Sequence, residues 1–193
     1  MNQIVLARHG ETEWSSSGRH TGRTDVPLTA EGRRQADQIA GKLAGRGFAA
    51  VHTSPLQRAR ETCERARLST PFEIDPDLQE WDYGSYEGIT TAEVRRTIPG
   101  WSVWTHPILG GEPVDEVGRR ADDVIDRALT ADGDVCLFAH GHFLRILAAR
   151  WLGLPADSGR LFALGTATVS VLGFERETHV IRRWNEACHL TAD

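Results

Sequence analysis

The sequence predicts an α/β fold: a single domain over residues 1–193, with a mostly parallel mixed sheet and helices on both faces. Three observations predict it. Short apolar runs rich in β-branched residues alternate with stretches of helical spacing. One strand–turn–helix signature occurs twice, as Leu6-Ala7-Arg8-His9-Gly10 and Leu137-Phe138-Ala139-His140-Gly141. Finally, 193 residues, 40% hydrophobic and 25% charged, suit one domain with a substantial core and no disulfide or metal staple.

Taken in order, Ile4-Val5-Leu6-Ala7 reads as a buried strand ending at the turn Arg8-His9-Gly10. Pro27-Leu28 leads into a helix with Thr29 as N-cap, Ala36, Ile39, Ala40 and Leu43 inward, and Gly45 to Gly47 at its end. Ala49–His52 is the second strand. Ser54-Pro55-Leu56-Gln57 has the form of a helix start, with Ser54 at the N-cap, Pro55 in the first position and Gln57 completing a capping box. Leu56, Ala59, Cys63 and Ala66 make its inward stripe. Pro71 to Gly88, richer in Pro, Asp, Gly and aromatics, reads as a long functional loop with one short strand. Thr90-Thr91-Ala92-Glu93 opens another capped helix, Pro99 to Pro113 is irregular, and Val114–Leu129 is helical. Val135–Ala139 is a strand followed by a helix through Trp151, with Leu144, Leu147, Ala148 and Trp151 inward. Thr168–Phe174 and His179–Trp184 close the sheet as an antiparallel pair.

Positive and negative side chains number 22 and 27, giving a net charge of −5. All the cations but Lys42 are arginines. That balance argues against nonspecific nucleic-acid binding, yet allows a local cationic pocket for a small anion. Cys63, Cys136 and Cys188 are too few and too scattered for a disulfide framework or a zinc ribbon, and the first two read as small core residues. A reduced, cytoplasmic setting is the expectation, with no leader before Gln3–Arg8 and no membrane segment. A homodimer is left open.

Sites in open α/β sheets form beyond the carboxyl ends of strands. Both His9 and His140 fall there, each followed by a glycine that lets backbone approach a ligand closely. One loop histidine is more often a capping group than a catalyst; two in matching settings point to a shared site. Arg8 offers a planar fork suited to phosphate, and Arg58 adds a cation near a helix start that itself favours an anion.

Arg8-His9-Gly10-Glu11-Thr12 resembles the signature of the histidine phosphatase superfamily, also called the phosphoglycerate mutase-like family. The resemblance continues, in the family's order, through Gly18-Arg19-His20-Thr21-Gly22, Asp25-Val26-Pro27-Leu28-Thr29 and Ser54-Pro55-Leu56-Gln57-Arg58-Ala59. It ends with Glu80-Trp81-Asp82-Tyr83-Gly84-Ser85-Tyr86-Glu87-Gly88 and Ala139-His140-Gly141-His142. It implies that His9 attacks phosphorus to form a phosphohistidine, with its other ring nitrogen held protonated by a backbone carbonyl. Arg8, Arg58 and His140 would surround the equatorial oxygens. Glu80 would donate a proton to the leaving alkoxide and then help activate water, a role suited to a carboxyl in the partly apolar surroundings of Trp81 and Tyr83. Ser15, Thr21, Gly22, Tyr83, Gly141 and His142 would line the substrate, although Ser15 stands where many relatives carry Asn. Glu11 and Thr12 would hold the first turn together. His140-Gly141-His142 has the form of a short ligand pair, but no further His, Cys or carboxylate stands at ligand spacing, so neither metal nor cofactor is expected.

Mutases of the family typically carry Glu-Arg-His-Tyr-Gly where this chain has Glu80-Trp81-Asp82-Tyr83-Gly84, and two arginines where it has Thr105-His106. Fewer cations disfavour a small carboxylated substrate; Arg95-Arg96, on a capped helix, read as a solvated face. Glu13-Trp14-Ser15-Ser16-Ser17-Gly18 and the segment from Glu80 are similar to two phosphatase branches, the sedoheptulose-bisphosphatases and bacterial acid phosphatases. The expectation is therefore a metal-independent phosphomonoesterase acting on small phosphorylated metabolites, chiefly sugar phosphates. Trp14, Trp81, Tyr83, Tyr86, Trp101 and Trp104 would stack on the substrate, exclude water or pack the core. The alternatives are a cofactor-dependent phosphoglycerate mutase, a phosphoprotein phosphatase, and a phospho-ligand binding module with little turnover.

Overall fold

A computed structural model describes residues 2–190. Its centre is a six-stranded sheet in the order β3-β2-β4-β1-β5-β6, formed by β1 (Ile4–Arg8), β2 (Ala50–Thr53), β3 (Phe72–Ile74), β4 (Val135–Ala139), β5 (Val169–Glu175) and β6 (Thr178–Glu186). The first four run parallel, while β5 and β6 pair antiparallel at one side. The expected mixed α/β sheet is observed.

The alternation of side chains along β1 explains why both faces are covered. Ile4 and Leu6 join one core with Leu137, Leu172 and the inner faces of α5 (Val114–Leu129) and α6 (Gly141–Trp151). Val5 and Ala7 face the other core, with Phe138, Val171, and residues of α2 (Ala30–Leu43) and α3 (Gln57–Arg65). Cys63 and Cys136 are buried there as small apolar residues. Two short helices, α1 (Glu13–Ser17) and α4 (Thr91–Val94), lie in the connecting segments. Thr29 caps α2 through Gly32 N–H, and the capping box of Thr90 and Glu93 opens α4, as their spacing predicts.

One cap differs from its expectation. Helix α3 begins at Gln57 with Leu56 at the N-cap and no side-chain cap from within the motif. Ser54 Oγ instead accepts from Leu56 N–H at 3.3 Å and meets His140 Nε2 at 2.8 Å. The free N–H of Gln57 donates to Asp25 Oδ1 at 2.8 Å, and the Gln57 amide donates to Asp25 O at 2.6 Å. A carboxylate from the loop before α2 thus occupies the helix start that the sequence offered to a ligand anion.

Candidate active site

The pairing of β1 with β4 builds the centre. Arg8 stands opposite Ala139, and His9 N–H donates to Ala139 O at 3.0 Å, so the residues after the two strands emerge side by side. The rings of His9 and His140 lie 5.2 Å apart between centroids. His9 Nδ1 is 2.7 Å from Gly10 O. A carbonyl only accepts, so Nδ1 carries the proton and Nε2 keeps its lone pair. Burial, then the charges of Arg58 and Arg8, hold His9 well below the ordinary imidazole range, against the opposing pull of Gly10 O. The ring is neutral and nucleophilic at Nε2.

Behind it, His140 and Arg58 form the wall of the site, and both are fully buried. Arg58 Nε–H donates to His140 Nδ1 at 3.1 Å, so neutral His140 carries its proton on Nε2, toward Ser54 Oγ. Burial, followed by the Arg58 and His9 charges, keeps His140 well below its ordinary value. The terminal nitrogens of Arg58 donate to the carbonyls of Thr24, Thr21 and Gly22 at 2.9–3.2 Å. Neither residue lines the open cavity; Arg58 ties the loop at residues 21–24 to the catalytic wall.

Glu80 arrives from the long loop and meets the first turn of α6. Oε1 accepts from Trp81 N–H at 2.9 Å and Phe143 N–H at 2.8 Å, while Oε2 accepts from His142 N–H at 2.9 Å. The helix start thereby fixes the carboxyl group, and Oε2, with fewer donors, retains a free lone pair. Trp81 and Tyr83, both 1% exposed, supply the apolar surroundings.

A cavity of about 400 Å³ opens over this centre. Its lining includes Arg8, His9, Ser15, Thr21, Glu80, Tyr83, Gly141 and His142, so eight of the expected residues are together. Gly22 lies just outside it. Ser15 reaches the wall, but its hydroxyl donates to Thr12 O at 3.0 Å and accepts from Thr12 N–H at 2.9 Å in the cap of α1. Tyr83 O–H lies 2.7 Å from His142 Nδ1. Burial pushes the phenol up and the imidazole down, so both are neutral and share one proton-bearing contact. Arg8 is held through Leu164 O, and its Nε is buried without a hydrogen-bond partner among the described residues. Of the aromatic residues, Trp104 lines the cavity, while Trp101 is fully buried.

Gly10 plays a different part from the one expected, while Gly141 lines the cavity. A Cβ on Gly10 would lie 2.2 Å from Gly32 O, so this glycine admits the start of α2 rather than a ligand. At Gly141 the nearest atom would be Arg8 Cζ at 3.2 Å, a neighbouring guanidinium. The cavity also gathers residues that sequence reasoning did not assign to it: Arg19, His20, Arg95 and Arg145. Arg95 is exposed, as expected of a solvated face, and also borders the cavity. Arg145 was legible from its spacing four residues after Gly141 on one helix face. Arg19 and Arg95 were not, because the Arg19–Thr90 bridge that joins their segments is long-range. Among the described residues no group of three or more His, Cys, Asp or Glu is placed to hold a metal ion.

The family model for the histidine phosphatase superfamily (branch 1) matches residues 4–187. An acid phosphatase of Mycobacterium tuberculosis is 45% identical over 179 residues, covering 90% of this chain and 87% of the relative. A sedoheptulose 1,7-bisphosphatase of Saccharomyces cerevisiae is 35% identical over 184 residues, covering 79% of this chain and 68% of the relative. The solved structure of an open reading frame product from Mycobacterium tuberculosis superimposes with a TM-score of 0.90 at 40% identity, covering 95% of this chain and 97% of the other.

Proposed function

The chain belongs to the histidine phosphatase superfamily (branch 1) and is a phosphatase of small phosphorylated metabolites; we propose that it hydrolyses sugar phosphates, without a metal, through a phosphohistidine on His9. The observation that carries this reading is the neutral, oriented His9, with Nδ1–H on Gly10 O and Nε2 free, beside the buried, unpartnered Nε of half-buried Arg8. A nucleophile and an unsatisfied cationic donor share one wall. That is the arrangement phosphoryl transfer needs, since positioning and charge supply most of its catalysis.

In the first step the Nε2 lone pair forms a bond to phosphorus and the bond to the leaving oxygen breaks. Glu80, its proton on Oε2, passes that proton to the departing alkoxide. His9 retains Nδ1–H, and Gly10 O stabilises the charge the ring acquires. In the second step Glu80 Oε2 accepts a proton from water as the water oxygen attacks phosphorus. The phosphorus–nitrogen bond breaks, and orthophosphate and neutral His9 are restored. Arg8 would contact the equatorial oxygens directly. Arg58 and His140, in the wall behind the open cavity, would act on His9: Arg58 by lowering its basicity, His140 by packing against its ring. A cytoplasmic location, on three free cysteines, and indifference to nucleic acid, on the acidic net charge, complete the reading.

The test is phosphate release from sugar monophosphates and bisphosphates with EDTA present throughout. Wild-type protein should release phosphate, and His9→Ala should lose at least ~10³ in kcat. Near-normal turnover in His9→Ala, or dependence on added zinc or manganese, would overturn the reading. So would formation of an isomeric phosphoglycerate without free phosphate.

A further inference from the structure

Among the described residues Arg58 is the one arginine that is fully buried. Its hydrogen bonds go to His140 Nδ1 and to the carbonyls of Thr21, Gly22 and Thr24, and none goes to a carboxylate. Burial acts against its charge, while the carboxylates of Glu80, Asp25 and Glu87 act for it from beyond hydrogen-bond reach. A guanidinium held in this way is positioned only as well as the carbonyls that receive it.

Those carbonyls belong to a loop that Glu87 holds from its other side. Glu87 Oε1 accepts from Arg23 N–H at 2.7 Å, and Oε2 accepts from Thr24 N–H at 3.1 Å and from the Thr24 hydroxyl at 2.6 Å. Gly22 and Arg23 share one peptide group, whose C=O and N–H point in opposite directions because the bond is trans. Its oxygen receives Arg58 Nη2 at 2.9 Å and its N–H meets Glu87. The peptide therefore lies between a buried cation and a half-buried anion, and both fields favour the same orientation. Glycine is what lets the carboxylate in: a Cβ on Gly22 would lie 2.1 Å from Glu87 Oε1. The segments leading into the loop are pinned as well, with His20 N–H on Ile89 O at 3.0 Å and Gly88 N–H on His20 O at 2.9 Å.

Resting on the phosphatase reading, we propose that Glu87 is a positioning residue: its carboxylate sets the Gly22–Arg23 peptide that seats Arg58, and through Arg58 it orients His140 and the wall behind His9. The Arg58 charge disfavours imidazolium at His9, and its Nε–H selects the tautomer of His140. Both effects depend on where the guanidinium stands. Glu87 lies outside the cavity lining, so it acts through the loop and not on substrate. The long loop thus carries Glu80 and, seven residues on, the group that fixes the wall behind the nucleophile.

The experiment measures kcat for a sugar phosphate, and the imidazole nitrogen NMR resonances of His140, in wild type, Glu87→Gln, Arg58→Lys and the double variant. Gln offers one oxygen where the carboxylate offers two, so Glu87→Gln should lower kcat by about tenfold, the effect of one charge-assisted hydrogen bond. The Nδ1 resonance of His140 should move downfield, as a ring nitrogen does when its hydrogen-bond donor withdraws. Lysine has no fork to seat, so the same substitution should cost less than about twofold in the Arg58→Lys background. An unchanged kcat in Glu87→Gln would overturn the proposal. So would a loss that adds in full to that of Arg58→Lys, or an unmoved His140 resonance, since mere loosening of the loop leaves Arg58 in place. Should Glu87→Gln not fold, Thr24→Val removes one of the three donors and keeps the charge; the same resonance should move, and a still one would overturn the proposal. The His140 spectrum needs no turnover. A wild-type protein that releases no phosphate would therefore sink the phosphatase reading and leave the resonance to decide on Glu87.

Discussion

At the scale of single residues, the chemistry rests on where protons sit. His9 is the nucleophile only while neutral, and burial with Arg58 and Arg8 lowers its basicity. Its neutral fraction therefore persists in mildly acidic solution, and the acid limb of kcat/KM should lie below the ordinary imidazole value of 6.5. Arg8→Gln removes one of the charges that disfavour imidazolium, so the limb should move to higher pH in that variant, whatever happens to the rate itself. A pH–rate profile with an unmoved or lowered limb would contradict the electrostatic account. The same arithmetic of donors fixes His140, whose Nδ1 accepts from Arg58 Nε–H and whose Nε2–H points to Ser54 Oγ. The family resemblance implied that a backbone carbonyl holds one nitrogen of His9 protonated, and Gly10 O does so. The motif named His9 and His140, but not which ring nitrogen each uses.

At the scale of elements, the periodic segments were legible and the junctions were less so. Ile4–Arg8, Ala30–Leu43, Val114–Leu129 and Val135–Ala139 follow from apolar spacing and local caps. The start of α3 did not, because its local capping signal competes with two distant partners. Ser54 turns to His140, and Asp25, 32 residues before Gln57, takes the free N–H. Gly10 shows the same limit. Its use is the close approach of the turn after β1 to the first turn of α2, where Gly32 O would lie 2.2 Å from any Cβ. Gly10→Ala should therefore separate these elements and cost about 1–3 kcal/mol of stability, as overpacking does. Thermal melts read this directly; an unchanged Tm would show that the contact yields without cost.

At the scale of the whole molecule, a negatively charged chain carries a positive cavity, and the two make opposite demands on an approaching anion. The cavity arginines are local and sit against low-dielectric walls, where their field is focused, whereas the net charge acts from a distance. For a doubly anionic ester, kcat/KM should then fall as ionic strength rises, by about twofold or more between low and 0.5 M salt. A rise would show that the overall charge governs approach. What the sequence determined by itself was the mixed α/β architecture, the family and the two histidine-bearing turns. These follow from side-chain periodicity and from an ordered set of motifs, and both are properties of the chain read locally. The tertiary structure decided the rest. Parallel pairing of β1 with β4 brought His9 against His140, the start of α6 took up Glu80, and arginines from separate segments reached the lining of one cavity. The physical reason is that hydrogen-bond partners and local fields depend on distances across the fold, and no spacing along the chain encodes them.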